Sequence, residues 1–377
     1  MLSSNTRSSL RRKVRRSDGI VDGMVMSDTE RPVPIGTDGN RWNDRTTMLV
    51  EEHVRVMRHV EPFVETQLAL LRPVNDGWQP SDVLPCLTGD SWSEEIQRLR
   101  ELARCLPDEI LVVLVGDTVT EEALPSYQTM FNRHLGLADD TGASDAPWAR
   151  WSRGWTAEET RHGKLLSTYL YLSGRVDVRA VEVTIQHLVR NGFDPLTSND
   201  PYRGLVYTAF QERATKLSHG NTARLAVKSG EPVLGRMCNL IAGDEARHEE
   251  AYKRFMGKIL ETDPSGAVMA IAQMMRTRIV MPGSRMTDGT EGRLFEQFAI
   301  VAQRIGAYTV RDYAQIIEHL VDYWHLQQLT GLTDEAAEAQ DYLCGLPERC
   351  LKHAQRIADT LAKQSRIPCR WIFDRMV

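Results

Sequence analysis

Two stretches of sequence decide how this chain folds: WTAEETRHG at Trp155–Gly163 and DEARHE at Asp244–Glu249. Each places a glutamate three residues before a histidine. On an α-helix, positions i and i+3 lie on the same face about one turn apart, so a carboxylate and an imidazole in this spacing can reach one metal ion. Two such pairs make a site for two metal ions possible.

The surroundings of the two pairs strengthen this interpretation. Of the ten histidines, only His162 and His248 have a glutamate at i−3, and both lie in segments with helical periodicity. Two further glutamates lie in helical segments that precede the two pairs. The resulting order, Glu, Glu-x-x-His, Glu, Glu-x-x-His, is the ligand set of ferritin-like di-iron carboxylate bundles. The candidate ligands are therefore Glu121, Glu159, His162, Glu212, Glu245 and His248.

The residue types in this set indicate which metal it would bind. Carboxylates and neutral imidazoles suit iron or manganese, whereas a structural zinc site usually contains cysteine. Four carboxylates also balance the charge of two iron ions in a buried site. Such a site can activate O₂ for attack on an unactivated carbon–hydrogen bond, or it can oxidise Fe(II) for storage. Taken singly, each glutamate is more readily explained as a solvated or ion-paired helix carboxylate, and only the joint order favours metal binding.

Length and composition set wider limits. The chain has 377 residues, of which 42% are apolar and 26% charged, as is typical of a soluble globular protein with a sizeable core. No run approaches the roughly 18 apolar residues that a membrane helix needs. The net charge of −5 argues against a general nucleic-acid binder. Six cysteines without a Cys-x-x-Cys pair indicate neither a zinc ribbon nor a disulfide framework and favour a reducing compartment.

The amino-terminal segment differs from the rest of the chain. Its first 16 residues contain five arginines, one lysine and four serines, and no acidic residue precedes Asp18. This composition predicts an organelle transit peptide, although a disordered basic tail has the same composition. Residues 32–43 have the prolines and glycines of a linker. We therefore expect an organelle transit peptide and flexible linker over 1–45 and a ferritin-like domain over 46–377.

The rest of the chain is predicted to be all-α. Ser91 and Glu94 form a capping-box signature, and Pro125 is expected to bend the helix that contains it. Only the apolar run 110–115 is ambiguous between strand and helix. A helix of roughly 25 residues spans about 37 Å, which suits a bundle that buries a metal pair. Helical periodicity covers 48–71, 94–105, 107–135, 148–172, 178–190, 201–227, 231–260, 266–279, 293–305, 310–328, 333–343 and 347–363.

Longer segments resemble the soluble plant acyl-carrier-protein desaturases, the stearoyl-ACP desaturase family. These are DEILVVLVGD (108–117), TEEALP (120–125), WTAEE (155–159), YLYLSGR (169–175), FQERAT (210–215), HGNTAR (219–224) and WIFDR (371–375). The resemblance covers about 48–377. It implies a ferritin-like homodimer in the chloroplast stroma, two iron ions per subunit and electrons from reduced ferredoxin. The ligands that it implies are the six residues already named.

The resemblance also implies a substrate site. In that family a saturated acyl chain, attached to acyl carrier protein, lies in a hydrophobic tunnel beside the irons. Arg133 and His134 depart from the small or apolar residues typical there, and Leu205 replaces an aromatic residue. A charge at this place could shorten the tunnel, or it could lie at the mouth and meet the acidic carrier. Matched by local motif, the tunnel positions are Met130, Arg133, His134, Pro195, Thr197, Gly204 and Leu205.

Three more residues receive roles by resemblance. Thr215 would assist oxygen activation, and Asp244 with Trp78 would conduct electrons to the iron. From the residues alone, the Thr215 hydroxyl could instead bond to its own helix, Asp244 could lie at the surface, and Trp78 could be a core residue. A basic patch near the tunnel mouth is expected to meet the acidic carrier, but the sequence does not locate it.

The expected activity is desaturation that depends on ferredoxin and O₂ and forms a cis double bond in the acyl chain, for fatty acid biosynthesis. A stearoyl substrate and the Δ9 position are the starting expectation. Three alternatives stay open: an iron-storage or ferroxidase protein, a hydroxylase or oxidase of altered regiospecificity, and an inactive member of a heterodimer. No nucleic acid or membrane partner is expected.

Overall fold

Helices make up nearly all of the structure, a computed structural model that describes residues 51–290, 293–361 and 365–377. The prediction of an all-α helical bundle with additional helices is confirmed. The predicted transit peptide and linker lie outside the described residues. None of the described helices is both long and apolar enough to cross a membrane.

Helices of the first half of the chain include two that carry candidate ligands. They are α1 (51–59), α2 (Glu61–Gln67), α3 (Trp92–Ala103), α4 (Asp108–Glu121), α5 (Leu124–Phe131), α6 (Pro147–Ser173) and α7 (Val178–Asn191). The second half contributes α8 (Pro201–Lys228), α9 (Pro232–Thr262), α10 (Pro264–Thr277), α11 (Leu294–Ile305), α12 (Val310–Tyr323), α13 (Asp334–Cys344) and α14 (Leu346–Leu361).

A four-helix bundle of α4, α6, α8 and α9 forms the centre. Helix α4 packs against α6 and α8, and α9 packs against both α6 and α8, so the four helices close a ring. α8 and α9 make the most extensive contact. On the outside, α10 packs on α8 and α9, and α12 packs on α8 and α14. The ring encloses the place where the candidate ligands meet.

The apolar run 110–115, which is ambiguous between strand and helix in the sequence, lies in helix α4. Every residue from Ile110 to Val119 is buried, because other helices surround α4 on all sides. A helix with no exposed face shows no amphipathic period and therefore resembles a buried strand in sequence.

Prolines divide two helices that the periodicity predicts as continuous. Pro62 lies in the first turn of α2 and separates it from α1, and Pro125 lies in the first turn of α5 and ends α4 at Glu121. A proline lacks the N–H that an interior helical position donates, so the chain starts a new helix at each. Glu121 thus lies at a helix terminus.

Two local predictions differ from the structure. Ser91 precedes α3, but its side chain makes no capping hydrogen bond, so the capping box is wrong. The sequence pattern also misses a small antiparallel pair, β1 (Pro368–Cys369) with β2 (Arg375–Met376). Two-residue strands are too short to show an alternating pattern.

Candidate metal centre

The structure brings the six candidate ligands together in the middle of the bundle. Glu121 ends α4, Glu159 and His162 lie on α6, Glu212 lies on α8, and Glu245 and His248 lie on α9. All six side chains are buried. Gly163 permits the close approach of α6 to α4, since a Cβ there would lie 3.3 Å from the backbone carbon of Glu121.

The ligand atoms form two overlapping groups. Glu121, Glu159, His162 and Glu245 place one ligand atom each within 4.8 Å of one another. Glu159, Glu212, Glu245 and His248 do the same. Because Glu159 and Glu245 belong to both groups, these two carboxylates are placed to bridge two neighbouring metal ions.

Unpaired polar atoms show that these groups fit metal ions. His248 Nδ1 lies 2.8 Å from Glu159 Oε1 and 3.5 Å from Glu212 Oε2. Nevertheless these three buried atoms form no hydrogen bond of acceptable geometry. Buried polar atoms without partners are costly, and cations between them would remove that cost.

The electrostatics of the cluster lead to the same conclusion. Burial, together with the charges of neighbouring carboxylates, raises the pKa of Glu212 and of Glu245. Burial also opposes ionisation of Glu159, but the charges of His162 and His248, together with the hydrogen bond from His162, outweigh it and lower the pKa of Glu159. Four carboxylates this close repel one another, and two cations would compensate that repulsion.

The outer nitrogens of both imidazoles face a second pair of carboxylates. His162 Nε2 lies 3.4 Å from Asp244 Oδ2, and His248 Nε2 lies 3.0 Å from Glu158 Oε2. Both contacts cross between the two helices: Asp244 on α9 contacts the His162 imidazole on α6, and Glu158 on α6 contacts the His248 imidazole on α9. A carboxylate that accepts from Nε2–H leaves the Nδ1 lone pair free for a metal.

Two arginines neutralise these outer carboxylates. Arg161 donates to Asp244 at 2.9 Å, and Arg247 binds both Glu158 and Asp244 at 2.6 Å. Glu158, Arg161 and Arg247 are absent from the sequence-based site. The signal for them is nevertheless visible, because EETRH at 158–162 and DEARH at 244–248 share the five-residue pattern acid-Glu-x-Arg-His.

Glu212 and Glu121, the two ligand carboxylates that each belong to only one group, contact different polar side chains. Trp155 Nε1 donates to Glu212 Oε1 at 3.0 Å, and His219 Nε2 lies 2.9 Å from Glu121 Oε1. Neither Trp155 nor His219 is part of the sequence-based site. Both side chains fix a carboxylate that belongs to only one of the two ligand groups.

Trp78 reaches the outer side of the site. Its indole N–H donates to Asp244 Oδ2 at 3.0 Å, and its ring stacks on the His162 ring with 6.1 Å between centroids. The Arg161 guanidinium lies 4.9 Å from the Trp78 ring. A chain of contacts therefore runs from half-buried Trp78 through Asp244 to His162.

Two adjoining cavities pass beside the carboxylates. They share the residues Thr120, Glu121, Gln211, Thr215 and Pro282. One cavity extends toward Phe295, Phe298 and Tyr308, and the other extends past Glu159 and Glu212 toward Met130 and Phe131. Together they form a largely apolar passage that touches the metal-facing groups.

The profile of the fatty acid desaturase family matches residues 52–373 of the sequence. The chain belongs to this family. It is 52% identical to stearoyl-[acyl-carrier-protein] 9-desaturase 6 of Arabidopsis thaliana, over 86% of this chain and 85% of the relative. Stearoyl-[acyl-carrier-protein] 9-desaturase 1 of Oryza sativa subsp. indica is also 52% identical, over 88% of each chain. An acyl-[acyl-carrier-protein] desaturase of Cucumis sativus is 50% identical, over 88% of this chain and 84% of the relative.

Of the seven predicted tunnel positions of this desaturase, Met130 is the one that lines the passage in the described residues. A separate outer pocket is lined by Met130, Arg133, His134, Pro195 and Thr197. Leu205 is fully buried in the apolar core and lines neither the passage nor this pocket.

The position of His134 explains most of the difference between the predicted tunnel positions and the residues that line the passage. Its buried imidazole lies 2.8 Å from the Thr197 hydroxyl and packs over Gly204, where a Cβ would lie 2.9 Å from His134 Nε2. Burial lowers the pKa of His134, which favours the neutral ring. Arg133 is exposed. In the structure the exposed Arg133 and the buried His134 line the outer pocket, so Arg133 places no charge on the wall of the passage, and a charge at the tunnel mouth stays a prediction.

Thr215 lines both cavities, as expected for a residue near the substrate. Its hydroxyl donates to the backbone carbonyls of Gln211 and Glu212, each at 3.1 Å. The alternative of a hydroxyl bonded to its own helix is thus what the structure shows.

Proposed function

We propose that this protein is an acyl-[acyl-carrier-protein] desaturase that introduces a cis double bond into a saturated acyl chain during fatty acid biosynthesis. One observation carries the proposal: an apolar passage runs directly against Glu121, Glu159 and Glu212, whose carboxylates also face the metal positions. An iron-storage protein needs no such passage. The printed names of the relatives support the same activity.

The proposed cofactor is a pair of iron ions in each subunit. Glu121 and His162 would hold one ion, Glu212 and His248 the other, and the carboxylates of Glu159 and Glu245 would bridge the two. When bound, the iron pair supplies the reductive activation of O₂ that oxidises an unactivated carbon–hydrogen bond. The overall reaction converts a saturated chain, O₂, two electrons and two protons into a monoene and two water molecules.

The side chains around the ions keep the ligands in the state that binding requires. Asp244 and Glu158 accept from the outer imidazole nitrogens and fix the tautomer of His162 and His248. Arg247 and the hydrogen bond from His248 lower the pKa of Glu158 to about 2 despite its burial, so Glu158 stays ionised at neutral pH.

The passage positions the substrate. Its walls are mainly apolar, which excludes water from the reacting methylenes and holds an extended hydrocarbon by burial alone. Met130 and Phe131 line one end, and His134 lies behind Met130 in the outer pocket. We propose that this end limits the length of the acyl chain, with stearoyl and the Δ9 position as the starting expectation.

Electrons are proposed to come from reduced ferredoxin and to pass along Trp78, Asp244 and His162, which are in contact. Thr215, beside the passage, is proposed to assist oxygen activation. The protein is further proposed to act as a homodimer in the chloroplast stroma after removal of a transit peptide within residues 1–45. The names of the Arabidopsis thaliana and Oryza sativa relatives, which both include the word chloroplastic, support the compartment.

Product analysis tests the proposed activity. The iron-loaded protein is incubated with ferredoxin, its reductase, O₂ and a series of saturated acyl-carrier-protein substrates, and the products are identified by gas chromatography and mass spectrometry. A monoene is expected. An oxygenated product would instead support a hydroxylase, and no product from any chain length in a protein with two bound irons would contradict catalysis.

A further inference from the structure

A second pocket lies away from the metal centre, between the end of α10 and helices α12 and α14. Its floor is apolar and contains Val310, Ala314, Ile317, Leu346, Ala354 and Ile357. Its edge carries Arg276, Arg278, Arg349 and His353. No aspartate or glutamate is found among the described residues that line it. We call this feature the arginine pocket.

Two of its arginines are held in place without a counter-ion. The guanidinium carbons of Arg276 and Arg349 lie 4.8 and 5.3 Å from the ring centroid of Tyr342, within the range of cation–π attraction. Arg349 also donates to the Tyr342 carbonyl at 2.9 Å. Both arginines are exposed, and neither forms an ion pair with a carboxylate in the described part of the chain. Their charge is therefore available to an external anion.

The arginine pocket lies against the wall of the apolar passage. Arg278 lines the pocket and Met281 lines the passage, while Val310 lines the pocket and Tyr308 lines the passage. Steps of two or three residues along the chain cover at most about 10 Å. Tyr313, in the pocket wall, accepts a hydrogen bond at 2.9 Å from the backbone N–H of Ile279, which lies in the segment between Arg278 and Met281.

We propose that the arginine pocket docks the acidic acyl carrier protein, with Arg276 and Arg349 binding its carboxylates. This inference rests on the proposed function, which requires such a partner. Guanidinium groups match carboxylates and phosphates in a bidentate geometry. Because the whole chain carries a net charge of −5, attraction to an acidic carrier must come from a local basic surface of this kind.

Charge also argues against the chain's own amino terminus as the occupant. The segment before Asp18 contains six basic residues and no acidic one, so an arginine-lined pocket would repel it. An acidic partner matches the positive charge at the edge of the pocket.

A binding measurement with charge-reversal variants tests the proposal. Fluorescence anisotropy of labelled stearoyl-carrier protein is recorded with wild-type protein, with Arg276→Glu/Arg349→Glu and with the control Arg179→Glu/Arg356→Glu. The control reverses two exposed arginines outside the pocket, one of them on the same helix α14. We expect the pocket variant to bind at least about 10-fold more weakly, with a shallower salt dependence, and the control to stay within about twofold of wild type.

Further readouts separate this proposal from the proposed function. Binding needs no turnover, so an inactive wild type that still shows the arginine-dependent affinity would contradict the desaturase activity alone. Turnover of stearoyl-pantetheine, which lacks the carrier, should be the same in the pocket variant and wild type. Equal affinity of pocket and control variants, with unchanged melting temperatures, would overturn the docking site. So would a changed sedimentation coefficient, because the surface would then join two copies of this chain.

Discussion

The metal centre and the wall of the apolar passage are stabilised by different interactions. At the centre, buried charges lie beside groups of opposite charge: Arg161 and Arg247 bind Asp244 and Glu158, and the imidazoles face carboxylates. Beyond the candidate ligand carboxylates, the wall of the passage is mainly apolar, and some of its buried polar atoms, such as the Tyr308 hydroxyl and Asp117 Oδ2, have no hydrogen-bond partner among the described residues. The structure of the metal centre depends on pairs of opposite charges, whereas the structure of the passage depends on the shape of its apolar side chains. Substitutions in the two regions should therefore have different consequences.

Glu159→Gln should have the largest effect, because this carboxylate belongs to both ligand groups. A neutral amide is a weaker ligand for iron, so we expect bound iron to fall from two ions per subunit to one or none. Product formation should fall by more than the roughly 100-fold that marks the upper range for outer partners. A colorimetric iron assay measures the content. Glu182→Gln, at an exposed position on α7, is the control, and a Glu159 variant with two tightly bound irons would contradict the ligand assignment.

Asp244→Asn should have the next largest effect and should differ from Glu158→Gln. Both variants weaken an outer imidazole partner, which typically reduces metal affinity or activity by about 10- to 100-fold. Asp244 is also bonded to the Trp78 indole, whereas Glu158 accepts from the backbone N–H of Arg72. Single-turnover rates with ferredoxin are compared with rates after chemical reduction.

A ferredoxin-specific defect is expected for Asp244→Asn alone. Trp78→Phe, which removes the indole N–H but leaves an aromatic ring, should show the same selective defect with normal iron content. Equal losses with both reductants in all three variants would argue against the electron path and leave the outer partners with a purely structural role.

Met130→Ala tests the wall of the apolar passage. Met130 lines both the passage and the outer pocket, so its loss should join the two spaces and admit longer acyl chains. We expect a several-fold shift toward longer products in a mixture of substrates, together with a loss of about 2 to 5 kcal/mol in the free energy of unfolding. Leu205→Val, in the core away from the passage, is the control. An unchanged product distribution would place the end of the passage elsewhere.

Asp117→Asn should have the smallest effect on activity and should increase stability. Burial raises the pKa of Asp117 to about 6, and its Oδ2 atom has no partner. A raised carboxyl pKa favours the folded state below the unfolded pKa near 3.8, and this contribution is lost as the pH rises through 6. At pH 7 the neutral amide should therefore increase the free energy of unfolding by up to about 3 kcal/mol.

Thermal or urea unfolding at pH 7 and at pH 4 measures this effect. The gain should shrink at the lower pH, where the wild-type carboxyl is also neutral. A gain of equal size at both values would show that ionisation of Asp117 is not its cause.

The ligand positions could be predicted from the sequence because helical geometry alone places i and i+3 on one face, and the order of the motifs supplies four helices. The outer partners depend on which helices are neighbours. Glu158 and Arg247 become interpretable only when α6 and α9 are known to pack together. The repeated EETRH and DEARH patterns carry this information once the pairing is known.

The passage could not be predicted to the same extent because its wall depends on irregular backbone. Pro125 breaks the α4–α5 connection, and Leu196, Ser198 and Asn199 all have positive φ angles in the turn before α8. Left-handed backbone is uncommon outside glycine and reorients the side chains that follow. The tertiary structure determines which side chains in this region face the passage. Matching by local sequence motif therefore identified Met130 as a lining residue but missed Gln211.

The crossed contacts between α6 and α9 also bear on the order of assembly. Arg247 binds an acid on its own helix and one on the opposite helix, and Arg161 binds Asp244 across the same gap. These bonds use no metal ion, so the two helices stay in register when the ions are absent. Many small metal-binding domains unfold when a chelator removes the ion. In this protein, the contacts that align α6 with α9 do not depend on a bound ion, so folding and metal binding can be separate events.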